Sequence, residues 1–168
     1  MKKAQITVEY IVAFTIFIGV IGYVYINYSR SFQPFLLETE KEEKYTEAFQ
    51  ISELMLNGLG DPTNWNTLSL NQIKRVGLSE NLNKQNYLSQ QKIAALQAIC
   101  QNSYADAKRL IGSEKNFHMF IFSIDNSGNR NSLLSCVPPN IVREQINVTV
   151  KRYANTNNGQ LVELMIQV

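Results

Sequence analysis

Histidine and cysteine are scarce in this sequence. Its 168 residues include one His and two Cys, too few for a zinc site built from imidazole and thiolate ligands. A charge imbalance is also missing: 16 Lys and Arg face 14 Asp and Glu, a formal net charge of +2. Nucleic-acid binders carry a basic excess or stripe. Here Lys74-Arg75, Lys108-Arg109 and Lys151-Arg152 are dispersed pairs, so no nucleic-acid partner is expected. No G-x-S-x-G, P-loop, H-E-x-x-H or C-x-x-C occurs, so the commonest nucleophile, phosphate and metal motifs are absent. His118 lies in an apolar stretch and reads as a strand residue rather than a base or ligand. Asp125, Ser127 and Asn129 alternate like calcium ligands, but Gly128 is misplaced and no Glu closes the loop, which leaves a hairpin turn. The expectation is a chain with no catalytic residues, no metal and no cofactor. Apolar residues are plentiful, 45% against 18% charged, which excludes a disordered or collagen-like chain.

Much of that apolar content sits at one end. From Tyr10 to Tyr28, 19 residues carry no charge. As a helix they span roughly 28 Å, close to a hydrocarbon core of about 30 Å. Tyr23, Tyr25 and Tyr28 suit an aromatic belt at the far end. Lys2 and Lys3 precede the run, so the positive-inside rule leaves the N-terminus cytoplasmic and everything after about Ser29 outside. A secretory signal that is removed should have an apolar core of about 7–15 residues and an A-x-A-like site. This run is longer, and Ser29-Arg30-Ser31 is a poor site. A plain signal anchor fits the length but leaves Glu9 to be explained. At headgroup level its charge favours the helix N-terminus. Deeper in the bilayer it costs on the order of a few kcal/mol and needs a cationic partner.

The opening Lys2-Lys3-Ala4-Gln5-Ile6-Thr7-Val8-Glu9-Tyr10 resembles the class III signal peptide of archaeal type IV pilin-like proteins: a short basic leader, a small residue before the cut, then Gln-x-Ser/Thr-x-Glu-Tyr leading into an apolar helix. The family more often has Gly where Ala4 stands and Ser where Thr7 stands; both replacements are small. The resemblance implies that a membrane prepilin peptidase cuts between Ala4 and Gln5 and that the apolar helix is kept. Glu9 would then pair with the N-terminal amine of a neighbouring subunit during assembly. Loss of Lys2 and Lys3 would leave 14 basic and 14 acidic side chains. The partners implied are the membrane, the peptidase, the pilus assembly machinery and other pilin subunits.

After the apolar run, Phe35, Leu36, Tyr45, Ala48, Phe49, Ser52, Met55 and Leu56 recur three or four apart with charges between them, the pattern of an amphipathic stem helix over 29–57. Pro34 is expected to kink or interrupt it. Gly58 is placed to end it as the residue past the cap, and Asp61-Pro62 to start a turn. Gly60, Pro62, Asn64 and Trp65 resemble a Gly-x-Pro-x-Asn-Trp stretch of exported archaeal pilin-like proteins; Trp65 reads as a core anchor, with a ligand-binding role as the alternative. Further helices are expected over 69–76 and 88–111, the latter with an incomplete capping box at Ser89 because Lys92 stands where Glu would. Strands are expected at 117–124, buried on both faces, at 133–137, around Ile146, Val148 and Val150, and at 161–168.

The fold class expected is α+β and pilin-like: a long N-terminal helix, transmembrane then amphipathic, followed by helices and a mainly antiparallel C-terminal sheet of three or four strands. The divisions expected are a leader at 1–4, a transmembrane helix at 5–28, the stem at 29–57 and an extracytoplasmic head at 58–168. Cys100 and Cys136 would then both lie outside, where a disulfide is permitted; two buried free thiols are the alternative. Asn27 and Asn147 begin glycosylation sequons, Asn27 too near the bilayer for use and Asn147 usable if exposed. Two functions fit: a structural subunit, major or minor, of a surface filament, or a membrane-anchored binding or adhesion module that does not polymerise.

Overall fold

The computed structural model describes residues 2–81, 84, 86–139 and 148–168; for 2–8 and 32–37 only the backbone helix is described. Helix α1 runs Lys2–Asn57. It continues through Pro34, so the interruption expected there does not occur. A proline deletes one hydrogen bond, here to the carbonyl of exposed Arg30, which solvent can satisfy instead. The chain divides into two compact units, Met1–Glu40 and Lys41–Val168. The first is helix throughout its described residues.

In the second unit, α1 contributes its last turns. Ala48, Ile51, Ser52, Met55 and Leu56 are buried, a stripe with the spacing of one helix face. Tyr45 and Phe49, expected on that stripe, are instead exposed and stacked on each other with ring centroids 6.4 Å apart. The helix stops at Asn57, but the left-handed residue beyond it is Gly60, at φ +86°, rather than Gly58. Trp65–Thr67 and Leu70–Gln72 form single 3-10 turns. The helix expected over 69–76 goes no further than the second of these. The backbone there has other partners: Lys74 and Arg75 donate to the Asp61 carbonyl, and Val76 donates to the Leu110 carbonyl.

Strand β1 is Tyr87–Leu88, helix α2 Gln90–Asn102 and helix α3 Tyr104–Ile111. The single helix expected over 88–111 is broken at Ser103, whose backbone is extended and whose hydroxyl accepts from the Asp106 amide at 3.2 Å. A serine can cap from within an otherwise helical period because its oxygen replaces the missing backbone acceptor. Ser89, by contrast, makes no side-chain cap. Strands β2 His118–Ile124, β3 Arg130–Cys136, β4 Thr149–Thr156 and β5 Leu161–Gln167 complete the fold.

The protein is α+β, with a five-stranded sheet in the order β1-β4-β5-β2-β3. It has five strands rather than the three or four expected; the β4–β5, β5–β2 and β2–β3 pairings are antiparallel, as expected, and β1 makes the sheet mixed by pairing parallel with β4. Strand β2 is buried on one face only. Met119, Ile121 and Ser123 point to the core, while His118, Phe120, Phe122 and Ile124 are half-buried on the other face. Its aromatic residues, Phe120 and Phe122, stack at 6.0 Å on that outer face, so an unbroken apolar run did not mean two buried faces. In β4, Val150 is buried and Thr149 and Lys151 exposed; Val148, just before the strand, is also buried. Ile146 lies outside the described residues. One buried cluster joins Met55, Leu96 and Leu110 of the helices to Ile121, Leu134 and Leu164 of the sheet.

Candidate functional site

Two regions carry chemistry, one in each unit. In the first, Glu9–Ser31 is 23 residues of helix long and apolar enough to cross a membrane. Its large apolar side chains from Tyr10 to Tyr28 are all exposed. Polar side chains within it return their hydrogens to the helix: Thr15 Oγ1 donates to the Ile11 carbonyl at 2.8 Å, and Asn27 Nδ2 to the Tyr23 carbonyl at 2.9 Å. Bonding four residues back lets a hydroxyl sit in hydrocarbon without an unmet donor and meets one of the two N–H donors of the Asn27 amide. Glu9 is exposed at the first position of this span. Ala4 and Gln5 lie in the first turns of α1.

In the second unit, Cys100 of α2 and Cys136 of β3 are bridged, with S–S 2.11 Å and Cα–Cα 5.2 Å. The same join is held by Ser135, whose amide donates to Gln97 Oε1 at 2.7 Å. Asn147 lies outside the described residues. His118 is half-buried at the start of β2. Asp125 closes the β2–β3 turn: its Oδ1 accepts from the amides of Ser127 and Asn129, and its Oδ2 from Asn129 Nδ2. Those bonds hold its carboxyl below the usual range, the Asn129 side chain most of all. Among the described residues, no group of acids, His and Cys could hold a metal ion.

The loop after α1 is built around Trp65, which is fully buried and donates Nε1–H to the Gly77 carbonyl at 2.9 Å. A Cβ on Gly60 would lie 2.2 Å from the indole Cδ1, so the glycine is needed for contact with the ring as well as for its positive φ. Trp65 is thus a core anchor, and the polar neighbours Thr63, Asn64 and Asn66 remain at the surface of the loop.

Beneath that loop lies a residue for which the sequence reading found no role. Lys92 is only 7% exposed, and its Nζ donates to the carbonyls of Leu59 at 2.8 Å and Ser79 at 2.9 Å. Burial lowers its pKa from the ordinary lysine value, against the opposing charge of Glu80. The sequence signal was available: Lys92, Leu96 and Cys100 are four apart, so this lysine stands on the apolar face of α2. A cleft of about 360 Å³ opens over it, lined by Thr63, Asn64, Asn66, Glu80 and Gln91 among others.

Two ion-paired carboxylates were also missed. Glu163, in the middle of β5, has no exposed surface and lies on the outer face with Arg130 Nη2 at 2.9 Å and Lys151 Nζ at 4.0 Å. Arg152 Nη1 meets Glu53 Oε1 at 2.7 Å and ties β4 to the end of α1. That hydrogen bond to Arg152, more than the one from Asn57, draws the Glu53 carboxyl below its usual range, while partial burial opposes the shift.

No known protein family, curated protein or solved structure matches this chain.

Proposed function

We propose that this chain is a pilin-like structural subunit, major or minor, of an archaeal type IV pilus-like surface filament. A prepilin peptidase processes it between Ala4 and Gln5, and it assembles with other subunits through its N-terminal helix. Before assembly it crosses the membrane once, with its N-terminus cytoplasmic and its head outside. The observation that carries this reading is the position of Glu9. It opens a 23-residue apolar span, at the edge of the hydrocarbon, five residues into the chain that the cut would leave. A carboxylate there is stabilised by a cation at the same depth, and the free amine of Gln5 in a neighbouring copy supplies one. The wholly exposed apolar surface from Tyr10 to Tyr28 adds support, since surface of that extent is covered by lipid or protein in use. A disulfide in the second unit suits an exterior compartment. The subunit has no catalytic role. Coexpression with a prepilin peptidase followed by N-terminal sequencing tests the reading. Gln5 at the new terminus is expected; Met1 retained, or a cut after Ser31, overturns it.

A second reading is a membrane-anchored binding or adhesion module that uses the same leader for export and never polymerises. The polar cleft over Lys92 favours it. Electron microscopy of cells expressing the processed chain separates the two, because only the first yields filaments.

A further inference from the structure

We propose that the cleft between the Trp65 loop and the start of α2 is a binding site for a neutral carbohydrate, taking one sugar residue of a glycan. Its volume of about 360 Å³ falls at the small end of ligand pockets, about 300–1,000 Å³. The wall is polar. Thr63, Asn64, Asn66, Glu80 and Gln91 line it, and among the described residues none of these side chains makes a hydrogen bond within the protein. Thr63, Asn64, Asn66 and Gln91 are thus free to meet a ligand, and Glu80, whose charge acts on Lys92, has no hydrogen-bond donor on its oxygens among the described residues.

Their chemistry narrows the ligand. Amide side chains both donate and accept, the hydroxyl of Thr63 does the same, and Glu80 accepts through two oxygens. Adjacent hydroxyls of a sugar ring also donate and accept, so each can pair with this set. A free anion is disfavoured by Glu80, and a free cation by Lys92 at the floor. Lys92 has three donors and gives two of them to the Leu59 and Ser79 carbonyls, which leaves one for an acceptor in the cleft. Leu59 is the apolar residue of the lining, too little for a lipid tail or an apolar peptide.

The loop's construction supports the assignment. Trp65 and Lys92 are the buried anchors, and they hold the backbone that presents Thr63, Asn64 and Asn66. Groups fixed in this way lose little freedom on binding. The site does not depend on polymerisation and is open to a filament subunit as well as to an anchored module.

The test uses the full chain in detergent micelles. The methyl glycosides of glucose, galactose, mannose, N-acetylglucosamine and N-acetylgalactosamine are titrated separately, with inorganic phosphate and acetate as anionic controls. Binding is read by NMR from the side-chain amide signals of Asn64, Asn66 and Gln91. Saturable binding of at least one glycoside is expected, with shifts at those amides and none from the anions. Asn64→Ala and Gln91→Ala alter exposed side chains and should each weaken binding at least about tenfold with the thermal unfolding curve unchanged. If Asn64→Ala fails to fold, Asn66→Ser takes its place. The proposal is overturned if no glycoside binds, if phosphate or acetate binds as well as the best sugar, or if the variants bind like the unaltered chain.

Discussion

The indole of Trp65 donates to the carbonyl of Gly77 at 2.9 Å, and Gly77 in turn lies backbone to backbone against Gly58, where an added Cβ would be 2.3 Å from the Gly58 oxygen. The end of α1, the Trp65 loop and the chain leading to β1 therefore meet at atoms that cannot easily move. Gly77→Ala must push backbone against backbone, and overpacking of that kind costs about 1–3 kcal/mol or more. Trp65→Phe keeps an aromatic ring but shrinks it and leaves the Gly77 carbonyl without its donor, a loss of at least about 1–3 kcal/mol. Urea unfolding of the full chain in micelles, followed by circular dichroism, should show lower midpoints for both. An unchanged midpoint for Gly77→Ala would mean that the close approach is not a constraint.

The disulfide between Cys100 and Cys136 closes a loop across a sequence separation of 36 residues. In the chain-entropy account this stabilises the fold by about 3–4 kcal/mol, through the unfolded state. The double variant Cys100→Ala with Cys136→Ala should therefore unfold at distinctly lower urea, with α2 still docked on β3 through Gln97 and Ser135. Equal midpoints for the unaltered chain with and without reductant would count against the bridge as a stabilising element.

The pair of Glu53 and Arg152 makes stability depend on pH. The folded carboxyl has its pKa lowered by the Arg152 hydrogen bond first of all. The stabilisation is thus complete above the unfolded value, near 4.5, and is lost as pH falls through the lower folded value. Glu53 is partly exposed, so the pair contributes no more than about 1 kcal/mol. Glu53→Gln should lower stability at neutral pH and flatten the fall below about pH 4.5. A fall on acidification as steep as in the unaltered chain would show that other carboxylates govern it.

How much of this was legible in the sequence follows from physical scale. Helices with a long period could be read: Ala48, Ser52, Met55 and Leu56 mark the buried face of α1, and the α+β class follows from the change of period near Phe117. Strand β1 could not be read, because Tyr87 and Leu88 are two residues with no period and their partners, Asn155 and Thr156, lie far along the chain. Ser103 broke a helix whose apolar spacing ran on past it. At the candidate site, Asp61-Pro62 marked the start of a turn, but the meeting of Thr63, Asn64 and Asn66 with Glu80 and Gln91 is a product of tertiary packing. Lys92 showed itself only as a charge on an apolar helix face, and Glu163 only as an acid between Leu161 and Met165.

Glu9 gives the sharpest test of the proposed assembly. If its carboxylate meets the amine of Gln5 in the next copy, Glu9→Ala removes one partner and leaves the other desolvated, at about 3–5 kcal/mol for each such contact. That corresponds to a loss of about a hundredfold or more in incorporation. Cleavage is a separate event at Ala4 and Gln5, so N-terminal sequencing of the Glu9→Ala product should still find Gln5. Glu9→Gln should be cleaved as well and should also enter filaments poorly, because it keeps the shape and loses the charge. Filament yield by electron microscopy, set against membrane-bound subunit by immunoblot, reads the two steps apart. Normal incorporation of Glu9→Gln would show that the charge at this position is only interfacial, and assembly would then have to rest on the apolar surface from Tyr10 to Tyr28 alone.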